Sequence, residues 1–187
     1  MIIREMQRAE YPLLENFLYE AIFIPNGVEP PPKSIISRPE LQVYISEFGT
    51  SEHDISIVAD VNGEIVGAIW VRIMNDYGHI DDTTPSFAIS VLKEYRGKGL
   101  GEKFFVNSVA ALCASLGSVK KIVLLVNSEW KSALRIYEKW GFVTILTLKE
   151  FFPTLQKKVC ADGIIMEAPA ERFRAIQFSG SEDAIKI

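Results

Sequence analysis

The sequence has little cysteine, little histidine and no long apolar run. Cys113 and Cys160 are the only cysteines in 187 residues, and His53 and His79 are the only histidines. None of the four forms a close pair, which argues against a zinc site, and no metal is expected. A disulfide between two such distant cysteines stays open, but a reduced, cytoplasmic chain is the simpler expectation. No apolar stretch approaches the roughly 20 residues that a membrane-spanning helix needs, so no membrane partner is expected. Arg4 and Glu5 stand where a secretory signal would be apolar. Charge of one sign is lacking too: 20 basic and 24 acidic side chains leave a net charge of −4. General nucleic-acid binding leans on phosphate neutralisation, so no nucleic-acid partner is expected. An anionic ligand would have to find a local basic patch.

What is there is an ordinary globular composition, 48% apolar and 24% charged. No internal repeat or low-complexity segment interrupts it. Ile2 to Met6 reads as a first strand. Leu13, Leu14, Phe17, Leu18 and Ala21 recur at helical spacing, predicting a helix over 9–23. Pro25-Asn26-Gly27 stops it, and Pro30-Pro31-Pro32 forbids regular structure. A second helix is predicted from Pro39 to Phe48, ended by Gly49. Asn62-Gly63 between two apolar runs is a strong hairpin signal, because both turn residues need positive φ. A strand over 86–92, a helix from the Gly97–Gly101 stretch to Leu116, a strand over 121–126 and a helix over 129–140 follow. Two more strands are predicted near 142–148 and 163–167. This order predicts an α/β fold with a mixed sheet and helices packed on its faces. The chain divides into a domain over 1–169 and an extension over 170–187, either docked or mobile.

The most informative stretch is Arg96-Gly97-Lys98-Gly99-Leu100-Gly101, between a strand and a helix. Glycines let a ligand approach the backbone closely. The first amides of a helix lack internal partners, and its N-terminus carries partial positive charge. Together these suit a phosphate or pyrophosphate. Lys93, Arg96, Lys98 and Lys103 add a local positive field. The dinucleotide fingerprint G-x-G-x-x-G fails, because position 102 is Glu, and no P-loop string occurs.

Arg96 to Gly101 and the preceding Ile89-Ser90-Val91 resemble the acetyl-coenzyme A signature of the Gcn5-related N-acetyltransferases (GNAT). A second element, Ala133-x-x-Ile136-Tyr137-Glu138-Lys139-Trp140-Gly141-Phe142, resembles the late helix of that superfamily. The resemblance implies a central mixed, mostly antiparallel twisted sheet whose fourth and fifth strands splay apart. Pantetheine would lie in the gap along Ile89, Ser90 and Val91. The amides of Arg96, Gly97, Lys98, Gly99, Leu100 and Gly101 would take the pyrophosphate of acetyl-CoA. Many members have Asn where this chain has Trp130, so that amide contact is lost. Trp130 would stack on the cofactor or close the cleft, and Asn127 would partly substitute. Ala133 leaves room for a ligand.

Acyl transfer to an amine needs a neutral nucleophile, oxyanion stabilisation and a proton for the departing thiolate. Tyr137 shares a helical face with Trp130 and Ala133. By spacing alone it reads as a core tyrosine before a catalytic one; the resemblance reverses that and makes it the general acid. Asp82, Asp81 and His79 are the candidate bases; a solvated loop is the plainer reading of each, and a free amine would need no dedicated base. Ile22, Phe23, Pro25 and the three prolines would form an apolar acceptor wall. Glu29, Asp76, Asp81 and Asp82 would favour a cationic acceptor. The expectation is direct acetyl transfer from acetyl-CoA to a small-molecule primary amine. A protein N-terminus or lysine is the alternative acceptor, and a silent acyl-coenzyme A-binding sensor is the alternative class. A homodimer is left open.

Overall fold

The computed structural model describes residues 1–24, 28–74, 84–152, 160–176 and 185–186. Its elements are β1 (Ile2–Glu5), α1 (Leu14–Glu20), α2 (Pro39–Gln42), β2 (Ile55–Val61), β3 (Glu64–Arg72), β4 (Ser86–Val91), α3 (Leu100–Ser115), β5 (Lys121–Asn127), α4 (Lys131–Lys139), β6 (Val143–Phe152), β7 (Ala161–Pro169), α5 (Ala170–Arg174) and β8 (Ile185–Lys186). The strands form one mixed sheet in the order β6-β7-β5-β4-β3-β2-β1-β8. Most neighbours are antiparallel; β4–β5 and β1–β8 are parallel.

The Asn-Gly hairpin forms as its φ requirement dictates, with Asn62 at 56° and Gly63 at 88°. The Asp60 carboxylate accepts the Gly63 N–H at 2.8 Å and fastens the turn. β3 alternates between two cores. Ala68 and Trp70 face Leu14, Phe17 and Leu18 of α1, while Ile69 and Val71 join Phe104, Phe105 and Val109 of α3. Helices therefore cover both faces of the sheet.

Two predicted helices are shorter than their apolar spacing suggests. Residues 8–13 form a 3-10 turn containing Pro12, and the α-helix begins only at Leu14. Proline has no N–H to give an α-helical ladder. The second helix stops at Gln42. Beyond it the carbonyls of Val43 and Ser46 accept from the Arg72 guanidinium and that of Tyr44 from the Trp70 indole. These acceptors serve β3 instead of continuing a helix.

The segment after Pro169 begins with α5, whose Ala170 and Phe173 are fully buried. Arg174 reaches under the end of α3 and donates to the carbonyls of Cys113 at 2.7 Å, Leu116 at 2.9 Å and Val119 at 2.6 Å. A cation there satisfies carbonyls that have no helical partner. Ile185 pairs with Ile3 of β1, a strand that sequence patterning does not reveal.

Candidate active site

β4 and β5 run parallel but share a single paired position, Ser86 with Val123. The Val123 N–H donates to the Pro85 carbonyl at 3.3 Å, and beyond that point the strands part. Strand alternation decides which backbone groups face the gap. The Leu92 N–H bonds Val66 of β3, so even-numbered positions of β4 serve β3. Ile89 and Val91 therefore turn their backbone groups toward the opening. Ser90 turns away, its hydroxyl donating to the Phe17 carbonyl at 2.7 Å.

The glycine turn lies at the far end of β4. Gly97 and Gly99 have φ of 72° and 76°, a region that disfavours residues with a Cβ. Gly99 is the N-cap of α3, so its successors Leu100 and Gly101 present first-turn amides without intrahelical acceptors. A Cβ built on Gly97, Gly99 or Gly101 would meet nothing within 4 Å. The turn is open toward solvent and built for an anion. Lys98 stands beside it, its Nζ 5.6 Å from the Tyr95 ring. Arg96 is placed differently from the rest: its N–H donates to Lys93 O, and its guanidinium points behind the turn to Val91 and Glu20.

Tyr137 sits where the strands divide. Its ring packs 6.4 Å from Phe87, the residue after the single β4–β5 pair, and 5.2 Å from Phe105 of α3. The residue is 8% exposed. Burial pushes its pKa well above the ordinary phenol value, so it carries its proton throughout the physiological range.

Trp130 is the N-cap of α4, and its ring lies 5.5 Å from that of Phe23, beyond the end of α1. This aromatic contact ties the β4 side of the gap to the β5 side. Ala133 follows one turn later, and Asn127 ends β5 with its Oδ1 accepting the Glu129 N–H at 2.8 Å. That bond shapes the turn into α4. Tyr19 anchors the proline segment, its hydroxyl donating to Pro31 O at 2.6 Å. Pro25, His79, Asp76, Asp81 and Asp82 lie outside the described residues.

Two contributors escape sequence reasoning. Glu102, in the first turn of α3, accepts from Lys139 and from the Trp140 indole, and these bonds hold its pKa below the usual carboxylate range. It joins the two sequence motifs, and an acid three residues past the N-cap Gly99 was the available signal. Glu20 pairs with Arg96 across a wide sequence separation, and no local pattern marks it.

The model described as an acetyltransferase (GNAT) domain matches residues 52–144. An N-alpha-acetyltransferase of Sulfurisphaera tokodaii is 26% identical over 118 residues, 60% of this chain and 67% of that protein. The mycothiol acetyltransferase of Corynebacterium efficiens is 30% identical over 79 residues, 42% of this chain but only 24% of that protein. Among solved structures, the spermidine N-acetyltransferase of Vibrio cholerae, in complex with CoA and spermine, superposes with a TM-score of 0.64 at 19% identity. That likeness covers 91% of this chain and 96% of the other. With its parted fourth and fifth strands, its glycine turn and its late tyrosine helix, the chain has the fold of these acetyltransferases and carries an acetyltransferase (GNAT) domain over residues 52–144.

Proposed function

We propose that the chain is an acetyl-CoA-dependent N-acetyltransferase acting by direct transfer onto a primary amine. The observation that carries this reading is the placement of a buried, protonated phenol at the apex of a gap with an open anion turn at its mouth. The residues present fit acetyl-CoA as co-substrate. Gly97, Lys98, Gly99, Leu100 and Gly101 would hold the pyrophosphate, and the backbone of Ile89 and the N–H of Val91, whose carbonyl is taken by Arg96, would pair with pantetheine. Asn127 and Trp130 would flank it at the β5 side, with Ala133 giving clearance.

In the transfer the amine nitrogen bonds the acetyl carbon and the carbon–sulfur bond breaks. Tyr137 gives its proton to the departing sulfur, and Asp82 accepts the proton that the amine loses, directly or through water. Neither cysteine enters this scheme. Cys113 is buried in the α3 core, where burial pushes its thiol up to about 11, so it is a poor nucleophile.

The acceptor we favour is a small amine. A protein N-terminus is the second reading, favoured by the N-alpha-acetyltransferase that this chain resembles over two thirds of that protein's length. A panel of polyamines, aminoglycoside-like amines and short peptides, scored by thiol release, separates them. Turnover with small amines is expected. Turnover with peptides alone would move the acceptor class, and no thiol release with any amine, despite coenzyme A binding, would favour the silent module.

A further inference from the structure

Arg96 opens the glycine turn, yet its N–H, Nε and Nη2 are all engaged by groups outside it. Its N–H bonds Lys93 O at 3.1 Å. Its Nε donates to the Val91 carbonyl at 2.6 Å. Its Nη2 donates to the Glu20 carbonyl at 2.9 Å and to Glu20 Oε2 at 2.8 Å. Glu20 is the last residue of α1, and its carboxylate is largely shielded from solvent. Lys93 Nζ stands 4.0 Å from the same carboxylate. One planar fork therefore binds the end of β4 and the end of α1 together. An exposed ion pair of this kind would count for little. A guanidinium holding two carbonyls and a carboxylate in fixed directions sets geometry, which an ammonium cannot reproduce.

We infer that Arg96 and Glu20 form a positioning clasp that holds the anion turn from behind, and that Arg96 is not itself a phosphate ligand. The clasp joins α1, which borders the acceptor side, to the turn that receives the diphosphate. This rests on reading the turn as the coenzyme A site. If the guanidinium instead swung out to a phosphate, the Val91 carbonyl and the Glu20 carboxylate would lose their donors.

Calorimetric titration of coenzyme A into the full chain separates the two roles. Arg96→Lys keeps the charge and loses the fork, and should weaken binding about tenfold. Glu20→Ala removes a negative charge near an anionic ligand, yet should weaken binding by a similar factor. The Arg96→Ala, Glu20→Ala double variant should be no worse than the poorer single one, since the two act as a unit. Wild-type affinity in Arg96→Lys would overturn the clasp, and tighter binding in Glu20→Ala would overturn it in favour of Arg96 as a phosphate ligand. Hydrogen exchange of the turn amides in the ligand-free chain tests the clasp independently of the coenzyme. Faster exchange at Gly97 to Gly101 in Glu20→Ala is expected, and equal exchange would overturn it. Failure of the wild type to bind coenzyme A, with exchange altered as expected, would overturn only the reading of the turn.

Discussion

At the scale of single residues the account turns on Tyr137. Its ring is packed by Phe87, Phe105 and Phe142, so Tyr137→Phe should leave the fold and coenzyme A affinity nearly unchanged. Removing one hydroxyl should cost at most about 1 kcal/mol of stability, read from the melting temperature. The turnover number should drop about 10²–10⁴-fold, the usual contribution of a general acid. An unchanged kcat with chemistry limiting would reduce Tyr137 to a packing residue. Burial also gives the residue a pH signature. Its folded pKa lies above that of the unfolded chain, so the folded state keeps a proton that the unfolded state releases. That stabilisation is complete below the unfolded phenol value of about 10 and is lost as pH rises beyond it. Thermal melts at about pH 8 and about pH 10.5 should show a smaller alkaline loss for Tyr137→Phe than for the wild type. At this scale the glycine turn was legible, because positive φ follows from residue type, as at Gly99, whereas the role proposed for Tyr137 came from the resemblance and not from its spacing. Glu20 was not legible, because its partner is brought to it only by α1 packing on β4.

At the scale of elements, the turns were readable and the helix lengths were not. Asn62-Gly63 and Gly97 to Gly99 state their backbone conformation outright, since few other residues adopt positive φ. The residues after Gln42 keep a helical spacing of apolar side chains, but Trp70 and Arg72 capture their carbonyls from another part of the chain. Tertiary demand overrode propensity there. The docking of α5 was equally hidden, since five residues carry too little pattern. Its Arg174 closes the exposed end of α3 with three charged hydrogen bonds. Arg174→Ala should lower stability by about 2 kcal/mol, read as a shifted urea midpoint, because buried carbonyls lose their donors. A shift within about 0.5 kcal/mol would mean that water replaces the guanidinium without loss. Glu102 works between elements in the same way, fastening the start of α3 to the end of α4 and so fixing the anion turn relative to Tyr137.

At the scale of the whole molecule, the sheet does one thing for function: it pairs β4 with β5 once and then lets them separate. The sequence order of strands and helices gave the mixed sheet, because each element buries one face and the order of faces follows from chain connectivity. The splay itself came only with family resemblance, since strand patterns do not say where pairing ends. Everything assigned to the gap depends on its taking coenzyme A at the glycine turn. A thermal shift measurement with coenzyme A therefore tests the account most directly, since a ligand selective for the folded state raises the melting temperature by mass action. Coenzyme A should raise the wild-type melting temperature, NADH should hardly do so, and Gly99→Asp should abolish the shift by placing a carboxylate and a Cβ beside the phosphates at a residue with φ of 76°. An equal shift in the wild type and in a folded Gly99→Asp variant would contradict it.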